Sequence, residues 1–265
     1  MEYEQRSFRF GDGIEASIWL LSEFKGKQFD AKQQGLYLWP GAERLCRFAA
    51  YNPHLFAQKR VIELGAGAGL GSAVVAQLGP SELVVTDGSE QVMDLLRRNV
   101  NENLNRAPQR VESGENGDAH QGEDCSMVEQ NNGGTTTAAA AATKVQVLSL
   151  GWSADEEELK AARDSEGREL CHTFDVVFGS DVIYEYANIV PLLTTARALL
   201  SDDARAFLVL AYVHRSDYLW CFGDSAQDEM RRHAQELGLT CEVESESTGG
   251  GGQLGRILIF RKMRS

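Results

Sequence analysis

Short apolar runs alternate with amphipathic segments over most of this chain. From Val61 onward, five such runs are each followed by a segment with apolar residues at helical spacing. This alternation is typical of a parallel sheet with helices on both faces, a doubly wound α/β fold. The predicted strands are VIEL, LVVT, VQVLSL, DVVFGSD and AFLVLAY, and the predicted helices cover residues 70–78, 91–103, 155–163, 187–200 and 227–237.

Hairpin patterns flank this region on both sides. The segment SFRFGDGIEASIWL, residues 7–20, alternates around a Gly-Asp-Gly turn and predicts an N-terminal β-hairpin beside the main domain. At the other end, TCEVESES and RILIFRKM are separated by TGGGGQLG, which predicts a terminal hairpin. Trp39 and Pro40 mark the start of a helix, since proline is tolerated in the first helical turn.

One polar segment interrupts the pattern. Residues 106–143 contain ESGENGDAHQGEDC and NNGGTTTAAAAAT, with too few large apolar side chains to offset the entropy of ordering. We therefore predict a disordered surface insertion at 106–143, with a partner-binding role for its acidic residues as the alternative. The predicted domain division is an extension over residues 1–35 and one main domain over 36–265.

The segment RVIELGAGAGLGS is the clearest candidate ligand site. Glycines at 65, 67, 69 and 71 follow a predicted strand and open a predicted helix, so backbone N–H groups can surround a ligand. By itself, a glycine run is equally consistent with an ordinary strand-to-helix turn. Glu63 precedes the glycines, and Asp87 ends the next strand 22 residues after Gly65, where a carboxylate can accept both ribose hydroxyls.

The spacing of the glycines separates two classes of cofactor. A dinucleotide fingerprint requires a third glycine at the place that Leu70 occupies, which disfavours an NAD-dependent dehydrogenase. A carboxylate at Glu63 suits a ligand with an ammonium group, such as the methionine part of S-adenosylmethionine. The residues therefore favour S-adenosylmethionine as the cofactor.

A second candidate site is the segment GSDVIYEY. Ser180, Asp181 and Tyr184 follow the fourth predicted strand, and ligands bind at the carboxyl ends of such strands. Asp181 and Tyr184 are three residues apart on a turn and can face one cavity. A helix-capping aspartate and a core tyrosine are the alternative interpretations.

Composition restricts the partners and the compartment. The 265-residue chain has a net charge of −13, which argues against nucleic-acid binding and accommodates a basic substrate, although it also fits simple solubility. No apolar stretch is long enough to span a membrane, and the N-terminus has no signal-peptide region. The five cysteines are scattered, so we expect reduced thiols, no metal site, and a protein of the cytoplasm or the nucleus.

Together these motifs resemble the seven-strand S-adenosylmethionine-dependent protein lysine methyltransferases of family 16. The resemblance rests on VIELGAGAGLGS, VVTDGSEQVMDLLRRNVNEN, LSLGWS and GSDVIYEY, and covers about residues 36–212 apart from the insertion. It implies a methyltransferase domain over 36–265, a Rossmann-like seven-stranded sheet in the order 3-2-1-4-5-7-6, and an antiparallel seventh strand. It also implies a monomer that acts on a non-histone protein such as a chaperone or an elongation factor.

The resemblance also assigns roles to single residues. Trp152 would flank the adenine. From charge and aromatic character, we expect Asp181 to capture and orient the substrate nitrogen and Tyr184 to close the channel around it. Ser180 stands where relatives often have alanine, and Arg215 with Phe222 resembles a recurring pair of the family. The residues expected to contact the cofactor are Trp39, Gly65, Ala66, Gly67, Asp87, Trp152 and Ser180, in addition to Glu63.

Two other hypotheses remain open at this stage. The methyl acceptor could instead be a histidine, an N-terminal amine or a small molecule. A noncatalytic binding module that keeps the cofactor fold is the third interpretation.

Overall fold

The computed structural model describes residues 2–11, 13–22, 31–105, 143–213, 224–248 and 254–263. The strands in these ranges are β1 (Tyr3–Phe10), β2 (Ile14–Leu21), β3 (Arg60–Glu63), β4 (Glu82–Asp87), β5 (Lys144–Ser149), β6 (Val176–Ser180), β7 (Phe207–Val213), β8 (Leu239–Thr248) and β9 (Leu254–Lys262). The α-helices are α1 (Pro40–Tyr51), α2 (Leu70–Val75), α3 (Glu90–Leu104), α4 (Glu156–Lys160), α5 (Ile189–Leu199) and α6 (Asp224–Glu236). Short 3₁₀ helices cover Ala31–Leu36, Pro53–Leu55, Ala76–Leu78 and Tyr186–Asn188.

Seven strands form one mostly parallel sheet. Their order is β5-β4-β3-β6-β7-β9-β8, and β9 runs antiparallel to both of its neighbours. If β3 is counted as the first strand of the domain, this order is 3-2-1-4-5-7-6, so the predicted fold class is confirmed. The order reverses at β3, which pairs with β4 on one side and β6 on the other. A ligand crevice is expected beyond the carboxyl ends of these three strands.

The continuous apolar runs are explained by burial on both faces of the sheet. Val61 and Val85 pack into a cluster with α1 and α3, whereas Ile62 and Val84 pack into a second cluster with α5 and α6. Because successive strand residues point to opposite faces, both odd and even positions must be apolar.

Helix α4 is shorter than predicted. The amphipathic pattern indicated a helix over 155–163, but α4 covers Glu156–Lys160. Asp155 caps it, because its side chain accepts the amide hydrogen of Glu157 at 2.9 Å. The chain then turns back, and Arg163 forms an isolated bridge with Glu169. Tertiary pairing therefore ends the helix where periodicity alone would continue it.

The N-terminal hairpin forms a separate two-stranded sheet. β1 and β2 pair antiparallel with Phe10 opposite Ile14. Ile18 of β2 packs in an apolar cluster with Ala42 of α1 and Leu70 of α2. The hairpin therefore lies against the main domain, while the division at residue 35 stays a prediction. The predicted insertion lies outside the described residues, apart from Thr143 at its end.

Candidate active site

The glycine turn between β3 and α2 forms the floor of the site. Gly65, Gly67 and Gly69 have φ angles of 64°, 54° and 81°, a left-handed conformation that glycine adopts at little cost. Two backbone N–H groups anchor the turn to β4. Ala66 donates to the Thr86 carbonyl at 2.9 Å, and Gly67 donates to the Asp87 carboxylate at 2.9 Å. The turn is therefore held open and fixed to the neighbouring strand.

Close approach also requires glycine at two of these positions. A Cβ atom on Gly65 would lie 2.8 Å from Val182 and 3.0 Å from the Trp152 ring. A Cβ atom on Gly67 would lie 3.0 Å from the Gly35 carbonyl oxygen. The missing side chains allow the loops after β5 and β6 and the segment before α1 to converge on the turn.

A cavity of about 720 Å³ opens above the turn, at the carboxyl ends of β3, β4 and β6. All of the sequence-predicted site residues except Glu63 line it. The lining members are Trp39, Gly65, Ala66, Gly67, Asp87, Trp152, Ser180, Asp181 and Tyr184. The fold thus brings together residues that are up to 145 positions apart in the chain.

Asp87 is the carboxylate at the end of β4. Its two oxygens accept the amide hydrogens of Gly67 and Ser89, both at 2.9 Å. Burial raises the pKa of Asp87, and bonds from the Ser89, Gly67 and Gly88 amides oppose that rise. The carboxylate is therefore fixed in place at the edge of the cavity, where it retains lone pairs for a ligand.

The structure corrects the role assigned to Glu63. We expected its carboxylate to face the ammonium group of the cofactor, but the side chain is 1% exposed and does not line the cavity. It lies beneath the turn and accepts a hydrogen bond from the Ser72 hydroxyl. Burial raises its pKa to about 8, so the carboxyl is largely neutral at pH 7. A neutral group outside the cavity cannot offset a ligand charge, and Glu63 instead supports the start of α2.

Asp181 connects the loop after β6 to two other elements. Its carboxylate accepts the Gly41 amide hydrogen at 2.5 Å and the Val213 amide hydrogen at 3.3 Å. Trp39, the residue that precedes helix α1, makes no side-chain capping bond of its own, so Asp181 supplies an acceptor that this helix end needs. Asp181 also has a φ angle of 50°, which is uncommon for a residue with a side chain. The Gly41 and Val213 amides therefore hold the Asp181 carboxylate in place at the cavity wall.

Aromatic side chains also line the cavity. The Trp152 and Tyr184 rings have centroids 6.5 Å apart and are tilted by 45°. Burial, with the charges of Glu185 and Asp87, raises the pKa of Tyr184, so its phenol stays neutral near pH 7. The Trp39 indole donates to the Gln34 carbonyl at 3.0 Å. These rings present apolar, electron-rich faces to the cavity.

The cavity has a uniform charge character. Among the described residues that line it, four are acidic and none is a lysine, arginine or histidine. The acidic residues are Asp87, Glu90, Asp181 and Glu185. Elsewhere, the described part of the chain contains no cluster of three or more His, Cys, Asp or Glu that could hold a metal ion. Within the same ranges, no helix combines the length and apolar character needed to cross a membrane.

Residues 16–115 match the family model described as lysine methyltransferase. Over this part of its length the chain is similar to the lysine methyltransferases of methyltransferase family 16. The calmodulin-lysine N-methyltransferase of Arabidopsis thaliana is 27% identical over 191 residues, which are 72% of this chain and 49% of that protein. The protein-lysine N-methyltransferase EFM3 of Chaetomium thermophilum is 27% identical over 183 residues, which are 69% of this chain and 43% of that protein. The chain thus spans about half the length of these curated relatives.

Solved structures support the same fold. A SAM dependent methyltransferase from Aquifex aeolicus superimposes with a TM-score of 0.51 at 14% identity, over 88% of this chain and 99% of that chain. At this identity the likeness shows the fold alone. The pair Arg215 and Phe222, which resembles a feature of family 16, lies outside the described residues.

Sequence reasoning missed several residues that line the candidate site. Glu90 and Glu185 line the cavity, and each is within three residues of a predicted site residue, a signal that could have identified them. Gln34 and Gly35 also line it, but they precede α1 by chain position and carry no chemical signature. Only the close approach of Gly35 to Gly67 reveals their place.

Proposed function

We propose that this protein is an S-adenosylmethionine-dependent methyltransferase that transfers a methyl group to a lysine side chain of a non-histone protein. The observation that carries the proposal is the charge of the cavity. Among the described residues that line the cavity, the ionisable side chains are acids and tyrosines. The cavity lies over an open glycine turn, at the point where the strand order of the sheet reverses. A sulfonium donor and a lysine acceptor are both cations, so one acidic cleft attracts both.

The residues of the cleft fit the proposed cofactor. Asp87 would accept the ribose hydroxyls, the turn from Gly65 to Gly67 would accommodate the amino-acid part, and Trp152 would flank the adenine. Trp39 and Ser180 would complete the wall. When bound, S-adenosylmethionine supplies a methyl group already activated by a sulfonium centre.

The acceptor side of the cleft is formed by Asp181, Tyr184 and Glu185. A lysine has a reference pKa of about 10.4, and the amine attacks only after it has lost a proton. The carboxylates favour the cationic form of the lysine and so capture its side chain. The apolar ring faces favour the neutral form of the lysine, because they remove water from the amine. We assign Asp181 to capture and orientation and Tyr184 to closure of the channel around the amine.

Alignment is the main catalytic contribution of the protein. Holding two reactants in line can contribute up to about 7–11 kcal/mol, provided the geometry is rigid. Rigidity is built into both sides of the cleft. Asp87 is fixed by the Gly67 and Ser89 amides, and Asp181 by the Gly41 and Val213 amides.

The proposal extends to the cellular setting. We propose a monomer in the cytoplasm, with access to the nucleus, that acts on a chaperone or an elongation factor. The relatives support a protein acceptor, since one is a calmodulin-lysine N-methyltransferase and the other a protein-lysine N-methyltransferase.

A labelled-donor assay tests the function. Purified protein is incubated with S-adenosylmethionine that carries a tritiated methyl group and with a protein extract, and labelled proteins are hydrolysed to amino acids. We expect label in protein, recovered as methylated lysine. Label confined to small metabolites would contradict a protein acceptor, and label recovered as methylhistidine or at protein N-termini would contradict lysine.

Matched variants make this assay specific to the cleft. Asp87→Ala removes the acceptor for the Gly67 amide of the turn and for the Ser89 amide, and should abolish labelling, with folding checked by circular dichroism. Asp94→Ala is the control. Asp94 is on α3, the helix that follows β4, and its side chain is 98% exposed and lies outside the cavity. Equal labelling by the wild type and Asp87→Ala would refute the proposed cofactor site. Absence of cofactor binding by the wild type would favour a noncatalytic module.

A further inference from the structure

The outer edge of the N-terminal hairpin is covered by helix α3. Strand β2 pairs with β1 along one edge, which leaves alternate backbone groups directed away from β1. At Ser17 and Trp19, those groups meet side chains of α3 instead of water or another strand. An open strand edge exposes unpaired backbone groups, which can pair with another chain. Here side chains of α3 pair with these groups at Ser17 and Trp19.

Two buried asparagines of α3 make the contact. Asn103 accepts the Ser17 amide hydrogen at 3.0 Å and donates to the Ser17 carbonyl at 2.7 Å. Asn99 does the same with Trp19, with both distances at 2.8 Å. Each carboxamide therefore imitates one residue of a neighbouring strand. Asn99 is fully buried and Asn103 is 9% exposed.

The spacing of the two asparagines matches the strand. Helical residues four apart are separated by about 6 Å along the helix axis. Strand residues two apart are separated by about 6.8 Å. Asn99 and Asn103 are four apart and Ser17 and Trp19 are two apart, so the two repeats coincide over this short distance.

Only one of the two asparagines also reaches the glycine turn. The second amide hydrogen of Asn99 is donated to the Ala68 carbonyl at 2.8 Å. Ala68 follows Gly67 and lines the cavity. The corresponding hydrogen of Asn103 is donated within α3, to the Asn99 carbonyl at 2.7 Å. The carboxamide of Asn99 thus joins three elements: α3, the hairpin and the glycine turn.

We propose that Asn99 is a positioning residue for the cofactor, and that through it the N-terminal hairpin supports the glycine turn. The cofactor identity in this inference rests on the proposed function. Asn99 does not line the cavity. It acts through the Ala68 carbonyl, a buried acceptor that loses this donor when Asn99 is replaced, and so restrains the turn whose Gly67 amide hydrogen Asp87 accepts.

The test compares Asn99→Leu with Asn103→Leu. Both substitutions remove a buried carboxamide of similar size from the same helix face, and both leave one residue of β2 without its partner. Only Asn99→Leu releases the glycine turn. We expect both variants to lower the melting temperature, and Asn99→Leu alone to weaken S-adenosylhomocysteine binding by about tenfold, which corresponds to about 1.4 kcal/mol. Calorimetric titration well below the melting temperature of each variant measures the dissociation constants.

Hydrogen exchange provides a readout that does not depend on the cofactor. We expect faster exchange in a peptide that covers residues 65–69 for Asn99→Leu and wild-type exchange there for Asn103→Leu. If Asn99→Leu does not fold, Asn99→Ala and Asn103→Ala replace the leucine pair, because alanine removes the same two carboxamides without adding a branched side chain. Equal effects of the Asn99 and Asn103 substitutions on both readouts would overturn the inference. Failure of the wild type to bind S-adenosylhomocysteine would instead refute the proposed function, and exchange would still decide the role of Asn99.

Discussion

The buried carboxyl of Glu63 should make the stability of this protein depend on pH in a defined direction. In the folded protein burial raises the pKa of Glu63 from 4.5 to about 8, and the nearby charge of Asp87 adds to the rise while the Ser72 hydrogen bond opposes it. Between these pH values the unfolded chain has lost the proton and the folded chain retains it. The free energy of unfolding therefore falls as pH rises through this window and levels off above about pH 8. One group with such a shift contributes a slope of about 1.4 kcal/mol per pH unit.

Glu63→Gln removes the titrating group and keeps an acceptor for the Ser72 hydroxyl. Urea denaturation at pH 5.5 and 7.5 gives the free energy of unfolding for the wild type and the variant. We expect the wild type to lose about 2–3 kcal/mol more than the variant between the two pH values. Asp94→Asn is the control, because this exposed carboxylate should leave the wild-type slope unchanged. A Glu63→Gln variant with the same slope as the wild type would show that Glu63 is ionised in the folded state and would refute the reasoning.

Three further substitutions test other parts of the structure. Asp181→Ala removes the acceptor of two backbone amides, so we expect the free energy of unfolding in urea to fall by about 2–3 kcal/mol. Asp181→Asn keeps an acceptor oxygen and should lower it less. Equal losses in the two variants would contradict a role for these hydrogen bonds. Gly67→Ala combines a strained φ with a Cβ atom 3.0 Å from the Gly35 carbonyl oxygen. Titration calorimetry should show S-adenosylhomocysteine binding weakened by at least about tenfold, since the strain costs about 1–2 kcal/mol, and wild-type affinity would refute the close contact. Glu82→Ala removes the carboxylate that pairs with Arg60 at 2.7 Å and also with Arg168, at the start of β4 and away from the cavity, and should lower stability by about 2–3 kcal/mol with no change in cofactor affinity.

Much of the fold could be predicted because it follows from local patterns. Buried strands covered on two faces must be apolar at every position, and β4 is buried at all six of its positions. Glycines between such a strand and a helix occur where the backbone must turn and approach a ligand, which located the cavity floor at Gly65 and Gly67. Asp87 and Asp181 could be placed near one another because the carboxyl ends of parallel strands meet at one edge of the sheet.

The errors arose where the partner of a side chain is distant in the chain. Whether the Glu63 carboxyl points into the cavity or beneath the turn depends on the helix packed over it, and that cannot be seen in the sequence. Asp181 could be recognised as a site residue, but its clamp on Gly41 spans 140 positions.

The sequence by itself determined the order of strands and helices, the glycine turn and the acidic residues at the strand ends, because each depends on neighbours within one element. Only the tertiary structure decided which of these acids face the cavity, which are neutral and buried, and that Asn99 joins the hairpin to the turn. Burial and hydrogen-bond geometry depend on contacts between elements, and those contacts exist only after the chain has folded.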